Sequence, residues 1–401
     1  MSASRPRVAV LGTGPAGLMA AFELVQAGFQ PVLYEKRPAP GWKLLVAGSS
    51  GLNVGTEQSL REFVAQYRGP GEHFKKCFDE FSPQQWLGFI EKELGIPTFQ
   101  GTSRRYFIEG MKAPPLLKAW LGRIEARGGR LATRKEWSGL ESLPDGSWLL
   151  RFADGTSDAV DAAVFAFGGG SWEKTESPLR WTEVTDSLAW AREPFQSSNS
   201  GFQVEWPQAF LREAEGLPIK NMRLQSSRGE RAGDLVVTAY GLEGTPVYFA
   251  GEVGKAVLDL KPDLREDQVL ERLTSGREKL SPIRAAAKRL SLCEAAQALL
   301  FHLTPEPVRK DPAQMAKRVK SFPVHLRERQ PLSEAISSSG GIRFSEVDEN
   351  LEMKRFPGIF LAGEMLDWDA PTGGYLLTAC AAQGSLAGRA AARKLRNRVP
   401  G

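Results

Sequence analysis

Hydrophobic and polar positions along this chain follow two alternating periods. Val8 to Leu11 is an unbroken apolar run of β type, short enough for a strand buried on both faces. From Ala16 to Ala27 the repeat changes to that of a helix, with Leu18, Phe22 and Val25 on one stripe and Gly28 as the stop. Pro31 to Tyr34 then makes a second β-run, so the opening residues predict a β-α-β unit. Residues 36–56 carry Gly41, Gly48, Gly51 and Gly55 and predict a close-packed loop. Helices are predicted over 58–67, 83–94 and 113–127, followed by short strands over 130–133, 136–143, 147–152 and 157–160. The turns Pro144–Asp145–Gly146 and Ala153–Asp154–Gly155 link these strands as a meander. A buried strand is predicted over 161–167. From residue 194 the composition shifts, with strands expected over 195–205, 217–225, 234–239, 247–250 and 255–259. Residues 264–320 read as helical, Asp311 capping the last helix with Pro312 at its first position. A strand over 359–362 and a helix of small residues over 376–394 complete the pattern.

The punctuation of the first unit carries chemistry. Gly12, Gly14 and Gly17 form G-x-G-x-x-G, with Pro15 and Ala16 in the gap. The first glycine permits the tight strand-to-helix turn, the second admits a pyrophosphate against the backbone, and the third lets helix and strand pack closely. Glu35, with Lys36 beside it, ends the second strand, 18 residues beyond Gly17. A carboxylate there accepts from a ribose diol and disfavours a 2′-phosphate, which points to FAD or NAD rather than NADP. Alone the glycine motif is a weak signal; in register with strand, helix, strand and acid it is a strong one.

Two further stretches suggest backbone passing close to a ligand. The strand over 161–167 runs straight into Gly168, Gly169 and Gly170. Near the C-terminus a strand leads into Gly363 and Glu364, then Asp367, Gly373, Gly374 and Tyr375, and then the small-residue helix. Amide groups at the start of that helix would suit the carbonyls of a flavin ring.

The pairing of GTGPAGLMAA (12–21) with FLAGEMLDWDAPTGGYLLTACAAQGSLAG (360–388) resembles flavoproteins with dinucleotide-binding domains. More closely, it resembles a bacterial family of FAD-dependent oxidoreductases described as aminoacetone oxidase-like or BaiN-like. WKLLVAGSSGLNVG (42–55), FAFGGGS (165–171), TAYGLEGTPV (238–247) and SSGGIRFSEVD (338–348) extend the likeness over nearly the whole chain. The resemblance implies an α/β fold: a Rossmann-like FAD-binding domain formed by both chain ends, 1–191 and 341–401. It also implies an inserted β-barrel-like, substrate-side domain over 192–263 and 322–340, with a helical subdomain over 264–321. By position, Gly12, Gly14, Pro15, Ala16 and Gly17 would hold the pyrophosphate, and Glu35 and Lys36 the ribose. Lys43, Gly48, Asn53, Gly168 and Gly169 would run along the cofactor. Gly363, Glu364, Asp367, Gly373, Gly374 and Tyr375 would serve the pyrophosphate, ribitol and isoalloxazine end. The family's G-G-G-R-C-N is Gly48 to Asn53 here and lacks the cysteine and its basic neighbour, and the histidine of its T-H-x-G is Tyr240. Chemistry that needs that cysteine or histidine does not transfer. Tyr240, whose neutral phenol can donate a proton, and Lys43 are the candidate catalytic residues.

The activity implied is hydride transfer between flavin and a small-molecule substrate, including reduction of an enone-like double bond, with NAD(P)H as a transient reductant. No second G-x-G-x-x-G with strand and helix context stands between residues 150 and 330, and no C-x-x-C is present, against the chemistry of disulfide reductases. One alternative is reduction of uridine in ribosomal RNA. It draws on 16 Lys/Arg against 11 Asp/Glu between residues 251 and 330, and on Lys75, Lys76, Arg104 and Arg105. The other is a non-catalytic flavin sensor or binding protein. Three isolated cysteines and three isolated histidines offer no metal-ligand spacing, so no metal is expected, and the cysteine inventory suits a reducing cytoplasm. The apolar runs are too short for a membrane span. The oligomeric state is not legible.

Overall fold

The computed structural model describes residues 6–48, 51–101, 104–172, 179–276, 278 and 280–398. Ser49 and Ser50 of the expected cofactor loop lie outside the described residues. The chain forms two compact units, one from Met1–Gln196 with Ser337–Gly401 and the other from Ser197–Ile336.

The first unit is built on a five-stranded sheet of β1 (Val8–Leu11), β2 (Val32–Glu35), β3 (Arg130–Thr133), β4 (Ala162–Phe165) and β5 (Ile359–Leu361). Its order is β5-β4-β1-β2-β3, and every pairing is parallel. Strands in a parallel sheet are covered on both faces, and β1, β4 and β5 are accordingly buried at every position. β5 comes from the C-terminal segment, so both ends of the chain supply this sheet. Helix α1 (Pro15–Gln26) follows β1, and α2 (Tyr375–Arg398) lies against it. Small residues make this close approach necessary: a Cβ on Gly384 would stand 2.2 Å from the Ala16 carbonyl oxygen, and one on Gly388 2.7 Å from that of Ala20. The expected meander is present as Trp137–Ser142, Trp148–Phe152 and Ser157–Val160.

The second unit is a six-stranded antiparallel sheet, ordered Phe202–Gln203, Gly241–Glu243, Gly229–Thr238, Pro218–Ser226, Gly254–Asp259 and Phe322–Leu326. Helices between Glu266 and Lys320 share one apolar core with it: Leu224, Leu258 and Phe322 from strands cluster with Val269, Leu299 and Val319. Sheet and helices are therefore one unit rather than a β-rich domain and a separate helical subdomain.

Two local expectations are corrected. Residues 247–250 belong to the helix Thr245–Ala250, because Pro246, which has no N–H to give a sheet, sits in a helical first turn after Gly244. The 36–56 stretch is not all loop: six residues without glycine form the helix Trp42–Ala47 between Gly41 and Gly48, and Asn53–Thr56 is a strand. Lys75 and Lys76 lie within the helix Gly71–Glu80, whose Phe74, Cys77 and Phe78 are core residues.

Candidate functional site

A cleft opens in the first unit at the C-terminal ends of the parallel strands, where ligands of such sheets bind. The β1–α1 turn supplies Gly12, Thr13, Gly14, Pro15 and Ala16, the end of β2 supplies Glu35, Lys36 and Arg37, and Trp42 and Lys43 follow. Ala166, Phe167 and Gly168 follow β4, and Ala362, Gly363 and Glu364 follow β5. Trp137, Trp181, Lys135, Glu136 and Cys380 complete the wall, none of which a motif singles out.

The three motif glycines have separable roles. Gly12 has φ +105°, and a Cβ there would stand 2.2 Å from the Ala166 carbonyl oxygen, so strand crossing demands glycine. A Cβ on Gly17 would reach 2.0 Å from the Gly12 carbonyl oxygen, which makes Gly17 a packing residue. Gly14 is different. Its φ is −74°, open to any residue, and a Cβ there would meet nothing within 4 Å. Protein packing does not explain that glycine, whereas a ligand lying against the backbone does. Gly14 caps α1, no side chain caps the first turn, and Pro15 at its start has no N–H to orphan. The remaining first-turn donors and the helix dipole suit an anion.

Glu35 is held from two sides: the Thr13 hydroxyl donates to Oε2, and the Arg37 amide donates to Oε1 at 2.9 Å. The Gly41 amide in turn donates to the Thr13 hydroxyl at 3.0 Å. A carboxylate has about four acceptor sites, so this clamp orients Glu35 and leaves capacity for a diol. Lys43 Nζ donates to the Gly169 carbonyl. Oε1 of Glu364 is buried without a donor among the described residues. Burial pushes the Glu364 carboxyl above its ordinary value; the Lys43 charge opposes this and Asp369 adds to it. An orphaned buried oxygen, an uncapped helix start and an unfilled Cβ position together fit a dinucleotide whose pyrophosphate lies at Gly14 and whose hydroxyls meet Glu35 and Glu364.

Other expected residues lie off this cavity. The Gly169 Cβ position is 2.2 Å from Ser338 Oγ, which accepts from the Gly170 amide at 2.9 Å. Gly48 packs on Ala113, its Cβ position 2.5 Å from that side chain. Asn53 accepts the Gly55 amide at 3.1 Å, while its Nδ2 is buried without a partner among the described residues. Gly374 packs on Gly55, a Cβ there reaching 2.3 Å from the Gly55 nitrogen, and the Gly373 carbonyl accepts from Thr56. Tyr375 is 3% exposed among Phe63 and Tyr67 with its hydroxyl on Gln58, so its side chain belongs to the core and only its backbone is left to serve a cofactor. Asp367 accepts from the Gly340 amide and does not line the cavity; burial and Glu193 raise its pKa against the pull of that amide and Arg343. Gly363 lines the cavity, but its N–H donates to Gln383 at 2.8 Å rather than outward.

Tyr240 stands on the second unit, where its hydroxyl donates to Glu243; burial and that carboxylate raise the phenol well above the usual tyrosine range. A Cβ on Gly201 would come 2.3 Å from this hydroxyl, so the neighbouring backbone leaves the ring its place. Within residues 251–330, Lys261, Arg265, Lys288, Lys310, Lys320 and Arg327 each pair with a carboxylate, and Lys76 pairs with Glu349. No helix among the described residues is long and apolar enough to cross a membrane.

The parallel sheet, the glycine turn and the two-ended cavity define a Rossmann-type dinucleotide-binding protein. Residues 6–390 match the family model described as HI0933-like protein Rossmann domain, and the chain belongs to that family; by class it is an FAD-dependent oxidoreductase. A 3-dehydro-bile acid delta(4,6)-reductase of Clostridium scindens is 23% identical, over 97% of this chain and 99% of that protein. Two solved structures share the fold across nearly all of both chains. One is a 3-ketosteroid-delta4-(5alpha)-dehydrogenase from Rhodococcus jostii RHA1, with TM-score 0.51, 15% identity, and 98% of each chain covered. The other is a 3-ketosteroid delta1-dehydrogenase from Sterolibacterium denitrificans, with TM-score 0.53, 10% identity, and 96% of this chain and 99% of that chain covered.

Proposed function

We propose that this protein transfers hydride between FAD and a small apolar substrate bearing an enone-like double bond, with NAD(P)H as the reductant of the flavin. The observation that carries the cofactor reading is Gly14, a glycine that only a ligand requires, at the meeting of both chain ends. The substrate class is supported by the full-length relative, whose name is that of a bile acid reductase. Bound FAD supplies a ring that takes up or gives hydride. The chain's own residues do the rest. First-turn amides of α1 hold the pyrophosphate, and Glu35, fixed by Thr13 and Arg37, accepts from the adenosine ribose. Glu364 accepts from the linking polyol, and Lys43 anchors the Gly168–Gly169 turn through the Gly169 carbonyl. Lys36 and Arg37 place positive charge at the mouth of the nucleotide end. Tyr240 is the candidate donor of the substrate proton, because its phenol stays protonated at neutral pH.

Anaerobic mixing tests the reading. NADH or NADPH should bleach the oxidised flavin band, and a 3-oxo-Δ4 steroid should then restore it with loss of the conjugated absorbance of the substrate. Reduction by neither nicotinamide removes NAD(P)H from the proposal. Reduced enzyme that leaves every enone untouched removes the substrate class.

A further inference from the structure

A buried polar cluster stands directly behind the cavity wall. Gln383, on α2, is 0% exposed, and its Oε1 accepts the Gly363 amide at 2.8 Å. Its Nε2 lies 3.4 Å from Nε2 of His73, which also lies 3.3 Å from the Cys77 sulfur. A peptide N–H can only donate, so Gly363 fixes which end of the Gln383 amide is the oxygen. The amide nitrogen then faces His73 Nε2, which accepts from it in the Nδ1–H tautomer. Burial, with Lys76 adding to it, draws the His73 pKa down to about 4, which keeps the ring neutral, and the rings of Phe74 and Phe344 pack on it.

The Gly363 turn is held on its other side as well. The Gly363 carbonyl accepts from the Trp368 indole at 2.9 Å and from the Leu366 amide at 3.1 Å, and φ is +84°, a conformation that favours glycine. With its N–H turned into the protein, the peptide plane directs the Ala362 carbonyl the opposite way. Glu364, the next residue, also lines the cavity.

We infer that Gln383, oriented by His73, is a positioning residue for the cofactor: by taking the Gly363 N–H it sets the peptide that presents Ala362 and Glu364 to FAD. The inference rests on the FAD reading above. It assigns Gln383 a role through one acceptor atom, not through bulk.

Three measurements on the full chain test it: FAD affinity of the apoprotein by flavin fluorescence, the visible spectrum of the bound flavin, and hydrogen exchange of the peptide covering residues 359–367. Gln383→Leu should raise the FAD dissociation constant at least roughly tenfold and speed exchange at Gly363. Gln383→Glu, which keeps the acceptor, should return affinity to within roughly threefold of wild type. Gln383→Met takes the place of the leucine variant if that variant does not fold. A variant without the acceptor that binds FAD as wild type does, with an unchanged flavin spectrum, overturns the inference. Equal loss in Gln383→Leu and Gln383→Glu also overturns it, because the acceptor that glutamate keeps would then not be what matters. Wild-type protein that takes up no FAD defeats the cofactor reading instead; the exchange measurement still decides whether Gln383 holds Gly363.

Discussion

Replacing Gly14 by alanine separates a ligand requirement from a folding requirement. At this position φ is −74° and ψ is 177°, which alanine adopts freely, and the new methyl group meets nothing within 4 Å. Alanine is a poorer N-cap than glycine, a loss of about 1 kcal/mol, and the stiffer unfolded chain returns about 0.4–1 kcal/mol. Apoprotein stability should therefore change by no more than about 1 kcal/mol, a few degrees at most in Tm. A pyrophosphate at the α1 amides would meet that methyl and withdraw from one or two charge-assisted hydrogen bonds. Each is worth about 1.5–3 kcal/mol, so FAD affinity should fall roughly 10- to 100-fold or more. Gly17→Ala is the contrasting variant. Its methyl would overlap the Gly12 carbonyl at 2.0 Å, so it should destabilise the apoprotein itself by about 1–3 kcal/mol. Thermal melts of apoprotein and FAD titrations of both variants give the comparison. If Gly14→Ala binds FAD within threefold of wild type, or if the two variants lose stability alike, the reasoning is wrong.

Glu35→Gln should weaken FAD roughly tenfold while leaving FMN affinity unchanged, because the residue serves only the adenosine end; titration with both flavins checks this. Lys43→Met removes the donor to the Gly169 carbonyl and should lower both FAD affinity and turnover, read by titration and by stopped-flow reduction. Tyr240→Phe should leave flavin reduction by NAD(P)H intact and slow the substrate half-reaction by roughly 10²–10⁴-fold, as loss of a general acid does. His73 gives a pH signature. Its pKa is 6.5 unfolded and about 4 folded, so the fold favours the neutral ring. That contribution, at most about 3 kcal/mol, is fully present above pH 6.5 and is lost as pH falls towards 4. Denaturant melts of His73→Phe should show a flatter pH dependence across that window than wild type.

The nucleotide half of the site was legible because its chemistry is local. Gly12, Gly14, Pro15, Ala16 and Glu35 stand in one continuous β-α-β stretch, where strand, turn and acid constrain each other, and all five line the cavity. Gly363, Glu364 and Gly168 also line it, and they too follow directly on parallel strands. What escaped depends on side chains brought in from elsewhere. Trp137 and Trp181 form part of the wall, yet in sequence they are two aromatic residues among many, without spacing or charge to mark them. No motif marks Thr13, whose hydroxyl donates to Glu35 and accepts from the Gly41 amide. Tyr375 shows a related effect. A tyrosine after two glycines at a helix start reads as a cofactor contact, but Gln58 and the Phe63–Tyr67 cluster, more than 300 positions away, take the side chain into the core.

Residues that line the cavity also weld the two chain ends together. Ala16 has its carbonyl against Gly384, its Cβ 2.9 Å from the Gly363 Cβ position, and its surface on the cavity. One small residue thus sets the spacing between α1 and α2, the height of the C-terminal turn and one wall of the ligand site. Enlarging it would move all three, and the loss of cofactor that followed would say nothing about contact. Gly14 and Gln383 are the informative positions because they break this coincidence: the methyl of one has space in the protein, and the acceptor of the other can be kept while its amide nitrogen is removed. A loss of FAD confined to the acceptor-free variant at 383 and to the methyl at 14 can arise only if the dinucleotide lies against both glycine turns at once.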